Sequence, residues 1–320
     1  MRLFVTGGAG FIGSNYVRHV LAATEDTVTV FDALTYAGNL DNLRGIDDNP
    51  RFQFVKGDIT DREGVLAALD GHEAVVHFAA ESHVDRSIQS PDEFVRTNCG
   101  GTNVLCDAAR RCGVQTFLHI STDEVYGSIA EGSFTEEDRL GPRSPYSASK
   151  AGSDLIALSY HSTYSLPVIV TRSSNNFGPY QFPEKVIPLF VTNLLEGKKV
   201  PLYGDGLNER DWCFVEDNCS AIDLVLRRGS VGEIYNIGAG HELPNRTLTD
   251  IILDTLGQDE SMIEYVADRS GHDRRYSIDT RKVRALGWKP HREFRESLDE
   301  TIRWYRENRW WWEPLKSRGE

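Results

Sequence analysis

The feature that most limits how this chain can fold is a repeated alternation between short apolar runs and longer stretches with helical spacing. The short runs are rich in Val, Ile and Phe and read RLFVT, VTVFDA, FQFVKGD, AVVHFAA, TFLHIST and PVIVTR. Stretches with helical spacing lie between several of them, at 11–23, 61–70, 92–112 and 146–164. This alternation is typical of right-handed βαβ units. The sequence therefore predicts an α/β protein with a doubly wound parallel sheet covered by helices on both faces.

The alternation ends after about residue 174, which predicts a second and smaller domain. Prolines interrupt the segment that follows, at positions 179, 183, 188 and 201. The run EIYNIG at 233–238 nevertheless has the character of one more strand of the main sheet. We therefore predict two interleaved domains. Residues 1–174 and about 211–239 would form the main domain, and residues 175–210 and 240–320 a smaller α/β substrate domain that ends in one amphipathic helix, FRESLDETIRWYRENRWWWEPL.

Composition and charge exclude several classes of protein. The 320 residues include 40% hydrophobic and 26% charged residues, which is ordinary for a globular protein with a sizeable core. No apolar run approaches the ~20 residues of a membrane span, and a strand beginning at Arg2 leaves no space for a signal peptide. The net charge of −13 disfavours nonspecific nucleic-acid binding. The five cysteines lack CxxC spacing, so we expect reduced thiols in the cytoplasm and neither disulfides nor a metal site.

A glycine-rich turn follows the first predicted strand at once. Gly7, Gly10 and Gly13 in VTGGAGFIGS have the spacing G-x-x-G-x-x-G, and the first predicted helix begins inside this motif. Glycines permit the tight turn and let backbone N–H groups approach a pyrophosphate at the helix N-terminus. Asp32 closes the second strand, where a carboxylate accepts hydrogen bonds from an adenosine ribose. No arginine follows Asp32 closely to hold a 2′-phosphate, so the pattern predicts NAD rather than NADP on a Rossmann-type sheet.

Two further segments extend the predicted dinucleotide site. KGDI at 56–59 would place Asp58 and Ile59 near the adenine, although a turn role for Asp58 stays open. HFAA at 77–80 would line the ribose and the pyrophosphate. Together with the glycine turn, these segments predict a dinucleotide-binding protein.

The segment SPYSASKAG supplies a tyrosine and a lysine one helical turn apart. Tyr146 and Lys150 lie on one face of a predicted helix, a spacing that long helices also contain by chance. A phenol with a pKa of about 10 is a poor base at neutral pH. A nearby ammonium and the positive nicotinamide would stabilise the phenolate. We therefore predict that Tyr146 accepts a proton from a substrate hydroxyl while hydride leaves the same carbon.

The strand TFLHIST ends in a hydroxyl followed by two adjacent carboxylates. These residues are Thr122, Asp123 and Glu124. A surface turn tolerates such a pair, but ligands of open α/β sheets bind at the carboxyl ends of the strands. Thr122 is also placed to hydrogen-bond the substrate oxygen, with capping of the turn as its alternative role.

Taken together, these motifs resemble the extended short-chain dehydrogenase/reductase family and, within it, the dTDP-glucose 4,6-dehydratases. The resemblance covers essentially the whole chain, and its most specific segments are TGGAGFIGS, AAESHVDRSI, ISTDEVYG, SPYSASKAGSD, TRSSNNFGPYQFPEKVIPLF, PLYGDG and GHDRRYSID. The related sugar-nucleotide 4-epimerases share the glycine loop and the Tyr/Lys pair but typically have uncharged residues after the fifth strand. Asp123 and Glu124 therefore favour a dehydratase. The alternatives are a 4-epimerase, a dehydratase of a UDP or GDP sugar, and an inactive NAD-binding sensor.

The resemblance implies conversion of dTDP-glucose to dTDP-4-keto-6-deoxyglucose and water, a step of deoxysugar biosynthesis. Oxidation at C4 acidifies the C5 proton, which ionised Glu124 would remove while neutral Asp123 protonates the leaving C6 hydroxyl. Two close carboxylates resist ionising together, so one of them can stay protonated near neutral pH. Hydride return to C6 and return of a proton to C5 then give the 4-keto-6-deoxy sugar and regenerate the bound NAD.

The resemblance also implies roles for individual residues. The catalytic set is Thr122, Asp123, Glu124, Tyr146 and Lys150. The cofactor contacts are Gly7, Gly10, Phe11, Ile12, Gly13, Asp32, Leu34, Thr35, Asp58, Ile59, Ala79, Ala80, Ser82, Thr97, Tyr146, Lys150 and Asn176. The substrate contacts are Ser82, Thr122, Asn175, Lys185, Val186, Leu189, Phe190, Pro201, Tyr203, Arg210, Asn245, His272 and Arg274, together with the segment DRSGHD at 268–273.

Within the substrate set, Ser82, Thr122 and Asn175 would hold the hexose. Arg210 and Arg274 would supply local positive charge for the diphosphate, with a surface ion pair as the alternative for either. A structural role is the alternative for His83, Asp85 and His272. The resemblance further implies a homodimer in which helices 92–112 and 146–164 of each chain form a four-helix bundle.

Overall fold

A computed structural model of the chain describes residues 1–268 and 271–317. Its strands are β1 (Arg2–Thr6), β2 (Thr27–Asp32), β3 (Phe52–Lys56), β4 (Ala74–His77), β5 (Thr116–Thr122), β6 (Val168–Ser173), β7 (Asn175–Phe177), β8 (Val200–Tyr203), β9 (Glu209–Phe214), β10 (Ile234–Ile237), β11 (Glu242–Pro244) and β12 (Ile263–Val266). Its α-helices are α1 (Phe11–Ala23), α2 (Arg62–Leu69), α3 (Val84–Gln89), α4 (Pro91–Phe94), α5 (Thr102–Arg111), α6 (Pro145–Tyr164), α7 (Val186–Leu195), α8 (Val215–Arg228), α9 (Asn245–Leu256), α10 (Arg281–Ala285), α11 (Phe294–Glu307) and α12 (Arg309–Ser317).

Within the described residues, seven strands form one parallel sheet in the order β10-β6-β5-β4-β1-β2-β3. Successive side chains of β1 enter different cores: Leu3 and Val5 pack with α1 and α8, whereas Phe4 packs with α2, α5 and α6. Because helices cover both faces, the central strands β4, β5 and β6 are buried along nearly their whole length rather than on alternate residues. The predicted α/β class and the doubly wound parallel sheet are confirmed.

The smaller part of the molecule contains two small sheets, ordered β11-β9-β7 and β12-β8, and a separate apolar core. That core joins Phe190 of α7, Trp212 of β9, Leu248 of α9 and Trp312 of α12. β10 returns to the main sheet beside β6, where the run at 233–238 predicted a strand. The predicted boundary near residue 211 falls inside β9, a strand of the small sheet. The domain limits therefore remain a prediction.

The helix predicted over 92–112 is divided into three pieces. α4 is followed by a π-helix, Val95–Gly101, and then by α5. Gly101 lies so close to Ile59 that an added Cβ would approach the Ile59 Cδ1 to 2.4 Å. The wider turn brings Thr97 to the cavity described below, as is common for π-helical turns at functional sites.

The C-terminal segment forms two helices rather than the one predicted. Asn308 leaves helical geometry, with φ −113° and ψ 43°, and its side chain donates to the Trp304 carbonyl. This break lets Trp311 turn back and donate its indole N–H to Asn42 at 2.8 Å. No helix in the described part of the chain is long and apolar enough to cross a bilayer.

Candidate active site

A cavity of about 340 Å³ lies at the carboxyl ends of the central strands. The glycine turn and the ends of β2, β4, β5 and β6 contribute its lining, and the segment Tyr180–Lys185 reaches it from the smaller part of the molecule. This is the edge of an open parallel sheet where ligands bind. The cavity also collects most of the residues that the sequence singles out.

The glycine turn is packed too closely for any larger residue at two positions. A Cβ at Gly7, where φ is +70°, would lie 2.6 Å from the Ala79 nitrogen, and one at Gly13 would lie 2.3 Å from the Gly7 carbonyl oxygen. At the end of β2, the Asp32 carboxylate accepts from the Ala9 and Leu34 N–H groups at 2.9 and 2.8 Å. Strand, turn and acidic residue are thus fixed relative to one another.

Most residues predicted to contact the cofactor line the cavity. Lining residues from that set are Gly7, Gly10, Phe11, Ile12, Gly13, Asp32, Thr35, Asp58, Ile59, Ala79, Ala80, Ser82, Thr97, Tyr146, Lys150 and Asn176. Leu34 instead packs its side chain against the core beside α1. Asp58 shows its turn role as well, since one carboxylate oxygen accepts from both the N–H and the hydroxyl of Thr60 at 2.8 Å.

The residues present fit a dinucleotide. The close-packed glycine turn is a cradle that a side chain would fill, and the Asp32 carboxylate stands at its edge. Several buried side-chain oxygens in the lining have no hydrogen-bond partner within the described protein, among them Asn175 Oδ1, Asn176 Oδ1 and Gln181 Oε1. Such groups are costly to bury unless a ligand satisfies them.

The acidic pair lies in a short 3₁₀ turn, Asp123–Val125, directly after β5. Thr122 fills its alternative role as the cap of this turn, accepting from the Glu124 N–H and donating to Asp123 Oδ1, both at 3.3 Å. Thr122 and Glu124 line the cavity, whereas Asp123 is buried beside it and only 3% exposed. Burial, and then the charge of Glu124, raise the pKa of Asp123 well above its usual range. This shift favours the protonated form of Asp123, which is the form that a proton donor requires.

Tyr146 and Lys150 lie in the first turns of α6. Ser144 and Ser147 form a capping box at the start of this helix. The Lys150 ammonium is buried and donates to the Ile120 carbonyl at 2.8 Å. Burial lowers the pKa of Lys150 to about 8, with the Asp154 charge opposing the shift, so Lys150 remains cationic at neutral pH.

The surroundings of Tyr146 favour its neutral phenol. Burial raises the pKa of Tyr146, and the charges of Glu124 and Asp123 raise it further, while a hydrogen bond with Thr122 lowers it. The protein's own groups therefore do not generate a phenolate on their own. Additional positive charge next to the phenol is needed, as a nicotinamide ring would provide.

The residues predicted to contact the nucleotide part of a substrate divide into buried and exposed groups. The Arg210 guanidinium is 5% exposed, stacks on Tyr276 at 4.2 Å and donates to the Asp273 carbonyl at 2.9 Å. Asn245 has a buried oxygen without a partner in the described protein. The Phe190 side chain packs in the small core, so a contact with substrate would come from its backbone.

Arg274 lies at the surface, whereas the His272 side chain is only 6% exposed. Arg274 forms an ion pair with Asp205 at 2.8 Å, both side chains being more than half exposed, which is its alternative role. His272 Nδ1 bonds Asp268 at 2.6 Å, and its ring lies 6.2 Å from that of Tyr203. Pro201 is half-buried in β8. Within the predicted segment 268–273, Arg269 and Ser270 lie outside the described residues.

Of the predicted substrate residues, Ser82, Thr122, Asn175 and Lys185 line the cavity. Val186 and Leu189 lie on α7, next to Lys185. Sequence reasoning did not single out several other lining residues, namely Tyr36, Glu81, Arg96, Gln181, Phe182 and Glu184. Most of them lie in irregular segments where periodicity carries no signal. For Glu81, Gln181, Phe182 and Glu184 the available sign was their position inside the segments AAESHVDRSI and QFPEK, whereas Tyr36 and Arg96 lie outside both segments.

The described residues contain no cluster of three or more His, Cys, Asp or Glu side chains arranged to hold a metal ion. The free thiols are Cys99, Cys106, Cys112, Cys213 and Cys219. Burial raises the pKa of both Cys213 and Cys219 well above the usual thiol range, so these two are inert packing residues.

Comparison with known proteins agrees with this geometry. The family model described as GDP-mannose 4,6 dehydratase matches residues 4–301. A dTDP-glucose 4,6-dehydratase of Streptomyces antibioticus is 58% identical over 325 residues, which cover 99% of this chain and 96% of that protein.

Two solved structures extend the similarity to three dimensions. The dTDP-glucose 4,6-dehydratase of Streptomyces venezuelae, crystallised with NAD, has a TM-score of 0.97 at 58% identity and covers 98% of this chain and 100% of that one. The enzyme of Bacillus anthracis, in complex with NAD, has a TM-score of 0.92 at 51% identity, with coverage of 98% and 99%. On the strength of these relatives and of the site itself, the chain belongs to the dTDP-glucose 4,6-dehydratases within the nucleotide-sugar dehydratase family.

Proposed function

We propose that this enzyme is an NAD-dependent hydro-lyase that converts dTDP-glucose to dTDP-4-keto-6-deoxyglucose and water in deoxysugar biosynthesis. The proposal rests on one observation: residues suited to hydride transfer and residues suited to acid–base elimination lie at the same cavity. The redox pair Tyr146 and Lys150 lies beside Glu124, and the neutral acid Asp123 is adjacent to them. An epimerase needs only the first pair.

The first half of the reaction oxidises C4 of the hexose. NAD, when bound, supplies the hydride acceptor for C4 and later the hydride donor for C6. Tyr146 accepts the proton of the C4 hydroxyl, and Thr122 holds the same oxygen by a hydrogen bond. The buried Lys150 ammonium keeps positive charge near the phenol, which favours the phenolate that must form.

The second half expels water from C5 and C6. The new C4 ketone acidifies the C5 proton, and Glu124 removes it. The electron pair of the C5–H bond forms the C5–C6 double bond as the C6–O bond breaks. Asp123 delivers its proton to the departing oxygen, so that water leaves rather than hydroxide. The raised pKa of Asp123 supports this assignment.

We assign the nucleotide end of the substrate to the smaller part of the molecule. The buried Arg210 guanidinium offers charge to a diphosphate, and the buried Asn245 oxygen is an acceptor that a ligand can satisfy. Lys185 adds a second cation at the start of α7. A local cluster of this kind is required because the chain as a whole carries a net charge of −13.

The decisive experiment incubates the purified enzyme with dTDP-glucose and no added cofactor. We expect a product lighter by one water, and in deuterated water we expect deuterium at C5. Denatured enzyme should release NAD(H) approaching one equivalent per chain. Formation of dTDP-galactose without loss of water would favour the 4-epimerase. If the enzyme dehydrates UDP-glucose or GDP-mannose but not dTDP-glucose, the substrate carries a different nucleotide from the one proposed.

We further infer that the enzyme is a homodimer that pairs α5 and α6 with their counterparts. Leu155 of α6 is 60% exposed and Val95 is 56% exposed, which is unusual for large apolar side chains. Leu105 of α5 is fully buried in the chain's own core and is not available for such an interface. Light scattering should give twice the chain mass, and Leu155→Glu should shift it toward one chain. A monomer at all concentrations would contradict the inference.

We infer a cytoplasmic location for this activity. Thiols that are all free, and largely buried, suit a reducing compartment. Fractionation of cells that express the protein at its natural level tests the inference, and recovery outside the cytoplasm would overturn it.

A further inference from the structure

Three segments of the cavity wall each contain a residue in a costly backbone conformation. Among the residues that the structure describes, four non-glycine residues have positive φ: Leu34, His83, Ser165 and Tyr180. Ser165 ends α6, where a left-handed residue is ordinary. The other three each adjoin residues that line the cavity. Backbone strain of this kind persists only where the surroundings enforce it, and it concentrates at functional sites.

The three segments meet at one side chain, Tyr36. Its hydroxyl donates its one proton to the Ser82 carbonyl, and burial followed by the charge of Glu184 raises the pKa of Tyr36. One face of its ring carries the Arg86 guanidinium at 3.7 Å, and the Phe182 ring meets it edge-on at 5.7 Å. Tyr36 therefore ties the turn after β2 to the turn before α3 and to the segment that follows Tyr180.

Tyr36 contacts two regions of the cavity that are assigned to different ligands. Leu34, two residues before Tyr36, donates its N–H to the Asp32 carboxylate, which is assigned to the adenosine ribose. Ser82 is assigned to the hexose. The Tyr36 hydroxyl thus links the ribose-binding end of the cavity to its hexose-binding end.

The geometry of His83 shows why this link matters for Ser82. His83 has φ 122° and ψ 110°, a conformation that L-residues rarely adopt. Two hydrogen bonds hold His83 in this conformation. The Tyr36 hydroxyl donates to the Ser82 carbonyl, and the Arg86 N–H donates to His83 Nδ1 at 3.4 Å. Loss of the first contact leaves the Ser82–His83 peptide free to rotate, and the Ser82 side chain then leaves its place in the cavity wall.

We propose that Tyr36 is a positioning residue for the hexose, acting through the Ser82 carbonyl. The inference rests on the proposed function, because it assumes that the hexose of a nucleotide sugar lies against Ser82. It assigns Tyr36 no proton transfer. Its role is to hold the hexose-facing Ser82 segment in register with the ribose-binding turn, so loss of its hydroxyl weakens binding of the sugar rather than of the nucleotide.

The test is Tyr36→Phe, which keeps the ring, its contact with Phe182 and its stacking with Arg86. We expect the KM for dTDP-glucose to rise about tenfold, equivalent to about 1.4 kcal/mol, whereas kcat falls less than about threefold. The Kd for dTDP alone, measured by titration calorimetry, should stay within about twofold because dTDP has no hexose. A general weakening of the fold would instead impair both ligands and lower the melting temperature.

A matched control is Tyr235→Phe, which also removes one phenol hydroxyl bonded to a backbone group, the Ser230 N–H at 2.9 Å. Tyr235 does not line the cavity, so its KM and Kd values should match those of the unaltered enzyme. A KM within twofold of the unaltered value in Tyr36→Phe, or an equal loss of affinity for dTDP, would overturn the proposal. If the unaltered enzyme fails to dehydrate dTDP-glucose, the proposed function fails instead, and the two failures are distinguishable.

Discussion

Asp123→Asn separates the two halves of the reaction with little disturbance of the fold. Because the raised pKa of Asp123 favours its neutral form, the amide replaces a carboxylic acid of similar shape and equal charge. The Thr122 hydroxyl, which donates to Asp123 Oδ1 at 3.3 Å, can donate to the amide oxygen in the same way. The change removes the one property that elimination requires, a proton that can be given to the leaving oxygen.

The effect on stability has a definite sign. The pKa of Asp123 is raised in the folded protein, whereas in the unfolded chain it is about 3.9. Above pH ~4 the folded state therefore holds a proton that the unfolded state releases, so this group makes the protein less stable as pH rises toward its folded pKa. The loss is about 1.4 kcal/mol for each pKa unit of the shift. Asp123→Asn lacks this loss, so between pH 4 and pH 7 its stability should decline less than that of the unaltered enzyme.

The effect on catalysis is confined to the second half-reaction. Loss of a general acid typically costs ~10²–10⁴ in rate, so dehydration should fall by that factor while C4 oxidation continues. Mixed with dTDP-glucose, the variant should accumulate enzyme-bound reduced nicotinamide and a 4-keto-glucose intermediate, followed by absorbance and mass spectrometry. The double variant with Glu124→Gln should accumulate the same species more completely.

Two outcomes would refute this reasoning. Dehydration at close to the normal rate would make Asp123 a structural turn residue, with the proton donor elsewhere. A variant that loses both half-reactions equally, with a lowered melting temperature at pH 7, would show that Asp123 is ionised and supports the turn by its charge.

Three further predictions test the rest of the site. Tyr146→Phe should retain NAD and bind substrate, but its single-turnover rate of C4 oxidation should fall ~10²–10⁴-fold because no group accepts the C4 hydroxyl proton. A near-normal oxidation rate would show that another residue is the base. Because the pKa of Lys150 is about 8 and its cationic form is the active one, the rate of oxidation should decline above pH 8, and an unchanged rate up to pH 10 would contradict this. Gly13→Ala brings a Cβ to 2.3 Å from the Gly7 carbonyl, so denatured enzyme should release much less NAD(H); a full equivalent would argue against the cradle.

The parts of the fold that follow local rules could be predicted from the sequence. β1, the glycine turn and α1 are such a part, since apolar runs of doubly covered strands and positive-φ glycines leave direct signals. The π-helix between α4 and α5 could not be predicted, because it accompanies a close contact between Gly101 and Ile59, a residue distant in sequence. The break in the C-terminal helix at Asn308 also accompanies a contact between residues distant in sequence, the hydrogen bond from Trp311 to Asn42.

The site likewise contains residues whose positions could be predicted from the sequence and residues whose positions could not. Thr122, Glu124, Tyr146 and Lys150 stand at strand and helix ends, where the parallel-sheet topology alone predicts that they meet. Tyr36 belongs to a loop whose contact partners, Ser82 and Phe182, come from two other loops, so only the folded chain reveals these contacts.

The two halves of the site are also coupled electrostatically through Glu124, which leads to a last prediction. After burial, the Glu124 charge is the largest cause that raises the pKa of Tyr146, and it also raises the pKa of Asp123. Glu124→Gln should therefore block elimination and at the same time make the Tyr146 phenolate easier to form. The acid limb of the single-turnover oxidation rate should move to lower pH than in the unaltered enzyme. Asp254→Asn, which removes one exposed negative charge far from the cavity, should leave that limb in place. An acid limb that moves equally in both variants would reflect net charge alone, and one that does not move in Glu124→Gln would mean that Tyr146 and Glu124 ionise independently.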